Sequence, residues 1–239
     1  MTNLRVAHLG PIPYRDGLAL QEGLVRARAE GRTGDWLLYP DHPPVLTVGR
    51  NPSPGNVRAD PARLHQLGIE TFEVARGGDV TWHGPGQLVG YLIADLTPRG
   101  RDLHRFLREL EESLIQALAG WGIEGTRDPG RTGVWVEGRK IASIGVAVRK
   151  WVSYHGFALN VAPDLRFFDL IHPCGLRGIQ MTSLAGRLGP GAPSLAESRE
   201  KVAGTLAGVF GYQGWQQADA GEVRRLATES VPDEIPAPF

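Results

Sequence analysis

Short apolar runs fill this chain, and they follow one another more often than they alternate with helices. Runs at 36–39 and 45–48 are split by the turn Asp41-His42-Pro43-Pro44, and further strand candidates follow at 69–75, 87–96, 133–137, 141–149 and 152–161. Neighbouring strands favour a mixed sheet over a doubly wound one. The expected fold is therefore α+β, a mixed twisted β-sheet flanked by helices.

Four helices are predicted between these strands. One covers 16–30 and closes at Gly31; a short one opens at Asp60-Pro61 and closes at Gly68. The clearest runs over 102–119, where Leu103, Leu107, Leu110, Leu114 and Leu118 form a stripe opposite Arg105, Arg108, Glu109 and Glu112. The last covers 195–210, with a capping box at Ser194-Leu-Ala-Glu197 and a stop at Gly211. Beyond it, scattered proline and acid give no clear element. Residues 1–211 read as a single domain, with 212–239 a tail packed on it or trailing from it.

Composition narrows the function classes. Lys plus Arg is 26 and Asp plus Glu is 26, so bulk charge attracts neither nucleic acid nor membrane. The single cysteine excludes an internal disulfide and a multi-cysteine metal site. No apolar run reaches the roughly 18 residues of a membrane span, and residues 1–13 lack a signal-peptide pattern. A cytoplasmic monomer is expected. Residues 121–190 hold nine basic and five acidic residues, against four and seven in 191–239. That asymmetry is either ordinary scatter or a basic face attractive to an acidic partner.

Four segments carry possible chemistry. The stretch from Arg76 through Gly77, Gly78, Asp79, Val80, Thr81, Trp82 and His83 to Gly84-Pro85-Gly86-Gln87 is a glycine-rich loop between two strands. It matches neither a Walker loop nor a dinucleotide loop. It is either a tight connector or a site where backbone approaches a ligand. In 138–145, strand alternation puts Lys140, Ala142 and Ile144 on one face. Lys140 is then either partly buried or a strand-edge guard. His155 stands in His-Gly-Phe-Ala-Leu-Asn, either as a base or as a packed structural residue. Cys174, between Pro173 and Gly175, sits in a turn and not in the apolar run usual for a structural thiol. A nucleophilic role there needs a nearby cation, to favour thiolate below the ordinary pKa of roughly 8.5.

Together these segments resemble the lipoyl(octanoyl) transferase family, the octanoyl-carrier-protein:protein N-octanoyltransferases of lipoate synthesis. The similarity covers Arg-Gly-Gly-x-x-Thr-x-His-Gly-Pro-Gly-Gln at 76–87, Gly-Arg-Lys-Ile-Ala-Ser-Ile-Gly at 138–145, His-Gly-Phe-Ala-Leu-Asn-Val at 155–161, and Thr182-Ser183-Leu184 after Cys174-Gly175. Trp82 stands where the family often has Tyr, and Leu92 where it often has Pro. The resemblance implies a biotin/lipoate ligase-like fold and a two-step acyl transfer. Cys174 would carry the octanoyl group as a thioester, and Lys140 would lower its pKa and act as acid and base. Residues 76–83, Ser143, Ile144, Gly145, Gly156, Phe157 and Ala158 would bind the acyl chain and thioester carbonyl. The implied donor is octanoyl-acyl carrier protein. The implied acceptors are lipoyl domains and the glycine-cleavage H protein, with no metal or organic cofactor. An ATP-dependent lipoate or biotin ligase of the same fold is the alternative; a cysteine in a Pro-Cys-Gly turn argues against it.

Overall fold

A computed structural model describes residues 3–53, 55–172 and 178–229. Cys174 therefore lies outside the described residues. The strands are β1 (Leu4–Pro11), β2 (Trp36–Asp41), β3 (Val45–Val48), β4 (Glu70–Glu73), β5 (Val80–His83), β6 (Gln87–Ile93), β7 (Thr126–Asp128), β8 (Arg131–Val136), β9 (Arg139–Arg149), β10 (Val152–Asn160) and β11 (Trp215–Gln217). The helices are α1 (Tyr14–Ala29), α2 (Pro61–Gln66), α3 (Leu103–Ala119), α4 (Leu184–Leu188), α5 (Leu195–Val209) and α6 (Ala220–Thr228).

Eight strands form one mixed sheet in the order β11-β1-β2-β6-β10-β9-β8-β7. The pairs β1–β11 and β1–β2 are parallel, and the remaining pairs are antiparallel. A second sheet has the order β4-β3-β5. The expected α+β class holds. No described helix is long and apolar enough to cross a membrane.

Local signals explain most boundaries. The Asp60 carboxylate accepts from Arg63 N at the start of α2, and the Ser194–Glu197 capping box closes in both directions at the start of α5. The structure departs from the sequence reading in several places. The strand β1 was not predicted. The strand β5 lies inside the stretch read as a loop, because Val80-Thr81-Trp82-His83 is a glycine-free island long enough to pair with β3. Beyond Gly211, β11 adds to the edge of the large sheet beside β1, and α6 packs against α1. The buried face of α3 is Phe106, Leu110, Ser113, Leu114, Ala117 and Leu118 together with Glu111. Leu103, expected on that face, is 38% exposed, because it begins the helix where packing has not yet started.

Glu111 is the charged residue that the leucine stripe concealed. Its side chain is fully buried, and its carboxylate accepts from Arg108 (2.5 Å), Arg127 (3.2 Å) and Gly133 N (3.0 Å). Three donors make a buried carboxylate tolerable. They also fix the start of β8, the strand next to the one that carries Lys140.

The cores lie on either side of the large sheet. One gathers Phe106, Leu110, Leu114, Val202 and Leu206 from α3 and α5 over Val134, Ile141 and Leu159. The other gathers Leu20, Leu24 and Val25 of α1 over Val89, Tyr91 and Ala158. A third, with Leu46, Val80 and Trp82, underlies the small sheet.

Candidate active site

The glycine-rich segment is built as a flap on the large sheet. Gly77 N donates to Val146 O of β9 (2.9 Å), which seats the loop over the β9–β10 pair. Arg76 donates from Nη2 to Thr47 O (2.6 Å) and Thr47 Oγ1 (2.8 Å), so its guanidinium staples the flap to β3. The Asp79 carboxylate accepts from Ser53 N (3.0 Å) and from Asn56 Nδ2. It therefore holds Ser53 and Asn56, an ordinary structural use of a buried acid. The close approach of flap and sheet requires glycine at 145, where a Cβ would stand 3.0 Å from Arg76 Cδ and from Gly77 O.

A narrow cavity of about 50 Å³ lies beneath the flap. That is room for about four water-sized spheres, a slender space and not one for a broad ring system. Arg76, Gly77, Gly78, Asp79, Val80, Thr81 and His83 form one wall. Ser143, Ile144 and Gly145 of β9 face Ala158, Phe157 and Gly156 of β10 across the ladder and form another. The structure thus brings three separate segments around one space. Trp82 is the exception. Alternation along β5 turns it away, and its indole stacks on Phe167 (5.0 Å, 1°) in the third core.

Tyr14, Val89, Tyr91 and His155 also line the cavity, and the sequence reading did not assign them there. Period-two spacing from Gln87 pointed to Val89 and Tyr91 on one face of β6. For Tyr14, at the start of α1, no sequence signal existed.

These groups are polar but uncharged. His42 Nδ1 stands 2.9 Å from Ile12 O, and a carbonyl can only accept. Nδ1 therefore carries the proton, Nε2 accepts, and Tyr91 OH donates to it across 2.7 Å. By the same logic His83 Nδ1 donates to Gln87 Oε1 (3.2 Å). Gln87 Nε2 then donates to Asn160 Oδ1 (3.0 Å), and Asn160 Nδ2 to Thr182 O (3.0 Å). Burial pushes His83 down to about 3, with help from the positive Arg76. Burial, then Arg76, does the same to His155, also to about 3. His42 is lowered by burial as well. Burial raises Tyr14 to about 12 and Tyr91 well above the ordinary phenol range.

The hydrogen-bond chain from His83 ends beside Lys140. Thr182 N donates to Lys140 O (2.9 Å), and Lys140 N donates to Gln180 O (2.9 Å). The Lys140 side chain is buried, at 1% exposure, so it does not guard a strand edge. Its Nζ donates to Thr132 O (3.2 Å) and lies 5.0 Å from the centre of the Trp135 ring. Gly133, at φ +139, makes the slot: a Cβ there would stand 2.7 Å from Lys140 Cε. Lys140 is not part of the cavity wall, but its strand continues directly into Ser143–Gly145. On the two sides of the segment holding Cys174, His172 N bonds Asn56 O (2.7 Å) and Gln180 pairs with Lys140. Among the described residues no group of three or more His, Cys, Asp or Glu could hold a metal ion.

Comparison with known proteins agrees with this architecture. A solved lipoate-protein ligase A bound with ATP superposes with a TM-score of 0.77, covering 95% of this chain and 93% of that one at 17% identity, a likeness of fold. An octanoyltransferase of Geobacter sulfurreducens is 48% identical over 86% of this chain and 84% of its own length. One from Geobacter metallireducens is 50% identical over 84% and 91%. Residues 13–207 match the lipoyl protein ligase A/B catalytic domain. With about half of the aligned residues identical to octanoyltransferases along most of its length, the chain belongs to the octanoyltransferase family of that catalytic domain.

Proposed function

We propose that this chain transfers an octanoyl group from octanoyl-acyl carrier protein to a lysine of lipoyl domains and of the glycine-cleavage H protein, through a thioester on Cys174. The observation that carries the reading is the slender cavity beside the Lys140 strand, in a chain half identical to octanoyltransferases over the aligned length. Its slender shape suits an unbranched acyl chain more than a ring system.

In the first step the Cys174 sulfur attacks the donor carbonyl, its C–S bond forms, and the bond to the carrier sulfur breaks. The proton lost by Cys174 passes by way of Lys140 to the departing carrier thiolate. In the second step the acceptor amine attacks the Cys174 thioester, an amide bond forms, and Cys174 leaves as thiolate. Lys140 removes the proton from the nitrogen. The flap amides and those of 143–145 would serve the developing oxyanion. Thioester exchange is nearly isoenergetic and thioester to amide runs downhill, so neither step needs a nucleotide. The basic excess in 121–190 suits an acidic carrier.

The test is intact-protein mass spectrometry after mixing with octanoyl carrier protein and no nucleotide. A single octanoyl adduct is expected, lost in Cys174→Ala and discharged by a lipoyl domain. Transfer that requires ATP, or an adduct that survives Cys174→Ala, would replace this reading with the ligase.

A further inference from the structure

His155 has three unusual properties at once. It is a non-glycine residue in left-handed backbone, at φ +58, a conformation retained only where the surroundings enforce it. It is 2% exposed. Among the described residues, its Nε2 is buried without a hydrogen-bond partner although the imidazole lines the acyl cavity.

The backbone twist explains the placement. Regular alternation on β10 would put His155 with Phe157 and Leu159, toward the α3 side of the sheet. Instead its ring stacks beside that of its chain neighbour Tyr154 (4.8 Å) and stands edge-on to Tyr91 (6.3 Å), on the α1 side. Gln21 of α1, itself fully buried, enforces the turn by accepting from His155 N through Oε1 (2.7 Å). Gln21 Nε2 likewise lacks a partner among the described residues.

Register places His155 relative to the reactive end. It pairs with Val146, six positions along β9 from Lys140, roughly 20 Å at about 3.3 Å per residue. That separation puts His155 toward the end of the β9–β10 wall away from Lys140. Ser143, Gly145, Gly156 and Ala158 lie between, small residues along the course of the chain.

We infer that His155, turned out of its strand face by Gln21, is the end wall of the acyl pocket and sets the length of acyl chain accepted. This rests on the acyl-transfer reading above. An eight-carbon chain brings its methyl to the imidazole and stops. A longer chain must press methylene against an imidazole that Tyr154 and Tyr91 hold in place, and such overpacking costs on the order of tenfold in binding. Burial keeps the ring uncharged, so the wall is polar without an ion.

The test is kcat/KM for enzyme acylation from carrier thioesters of six, eight, ten and twelve carbons. His155→Gly and His155→Asn both tolerate left-handed backbone. Each should raise the ten- to eight-carbon ratio, about tenfold for His155→Gly and less for His155→Asn, while the six- to eight-carbon ratio stays within about threefold. A purely structural role would lower all lengths together. Ratios unmoved in both folded variants overturn the inference while leaving the acyl-transfer reading intact. Wild type that takes no acyl group from any thioester sinks both. A second measurement needs no variant: wild type acylated from the carrier thioester of an octanoyl group with a terminal diazirine should crosslink within Tyr154–His155, Tyr91 or Gln21. A crosslink confined to other segments overturns the inference.

Discussion

The two faces of the large sheet carry similar helices and opposite chemistry. Against α3 and α5 the sheet is packed with leucine, valine and phenylalanine, and its buried charge is Glu111 with its three donors. Toward the N-terminal half of α1, three imidazoles and two phenols are buried: His42, His83, His155, Tyr14 and Tyr91. A protein selected for stability alone has little reason to bury that cluster, because each polar group must find a partner or cost free energy. Both faces bury apolar side chains, but the α1 face also concentrates polar rings around the cavity.

The largest effect should come from the residue between the two. Lys140→Met keeps the length of the side chain and removes a buried cation. Octanoyl transfer should fall roughly 100- to 10,000-fold. Thermal stability should hold or rise, since replacing a buried ion with apolar volume is often neutral or favourable. Activity within tenfold of wild type would remove Lys140 from the chemistry and blur the contrast.

Leu114→Ala, on the opposite face, should do the reverse. Leu114 is fully buried in the first core, so the loss is about 2–5 kcal/mol of stability. Turnover per folded molecule should be unchanged. Denaturant unfolding together with active-site titration separates the two quantities.

The apolar face was the legible one. Strand candidates, the capping box and the helix at 102–119 follow from period and local chemistry, which act over a few residues. The grouping of 76–81, His83, 143–145 and 156–158 came from the resemblance to a family, and the fold gathers those residues around one cavity. The misses share a cause. Tyr14 reaches the cavity only because α1 starts where it does. Glu111 hides in a leucine stripe because its partners Arg127 and Gly133 are remote in sequence. The orientation of His155 depends on a backbone angle set by Gln21, 134 positions away. Trp82, part of the same motif, belongs to a different core. Cys174 lies outside the described residues, and its role rests on its turn context and on the family.

Acid should expose the polar face. His83 and His155 have folded values near 3 against 6.5 for the free ring. Between those limits the unfolded chain binds protons that the folded chain refuses, so their contribution is present above pH 6.5 and lost as pH falls. At pH 5.5 the loss is about 1.4 kcal/mol for each ring, or about 3 kcal/mol for the two. Urea unfolding at pH 7.5 and 5.5 measures it, and His83→Gln should remove about half of the drop. An equal drop in wild type and variant would assign the acid sensitivity to other groups.

The smallest effect tests the tautomer on which the polar face depends. Because Ile12 O fixes the proton of His42 on Nδ1, Nε2 must accept and Tyr91 must donate. Tyr91→Phe then strands a buried acceptor, and His42→Phe strands a buried hydroxyl. Each should cost about 1–3 kcal/mol, with the larger ring at 42 adding its own packing strain. The informative quantity is the coupling. The double variant removes both halves of the bond and should be more stable than the sum of the single losses by about 1 kcal/mol. Strict additivity in urea unfolding would mean that the 2.7 Å contact contributes nothing. The buried phenol and imidazole would then be ordinary aromatic packing, and the difference between the two faces of the sheet would be one of composition and not of polar organisation.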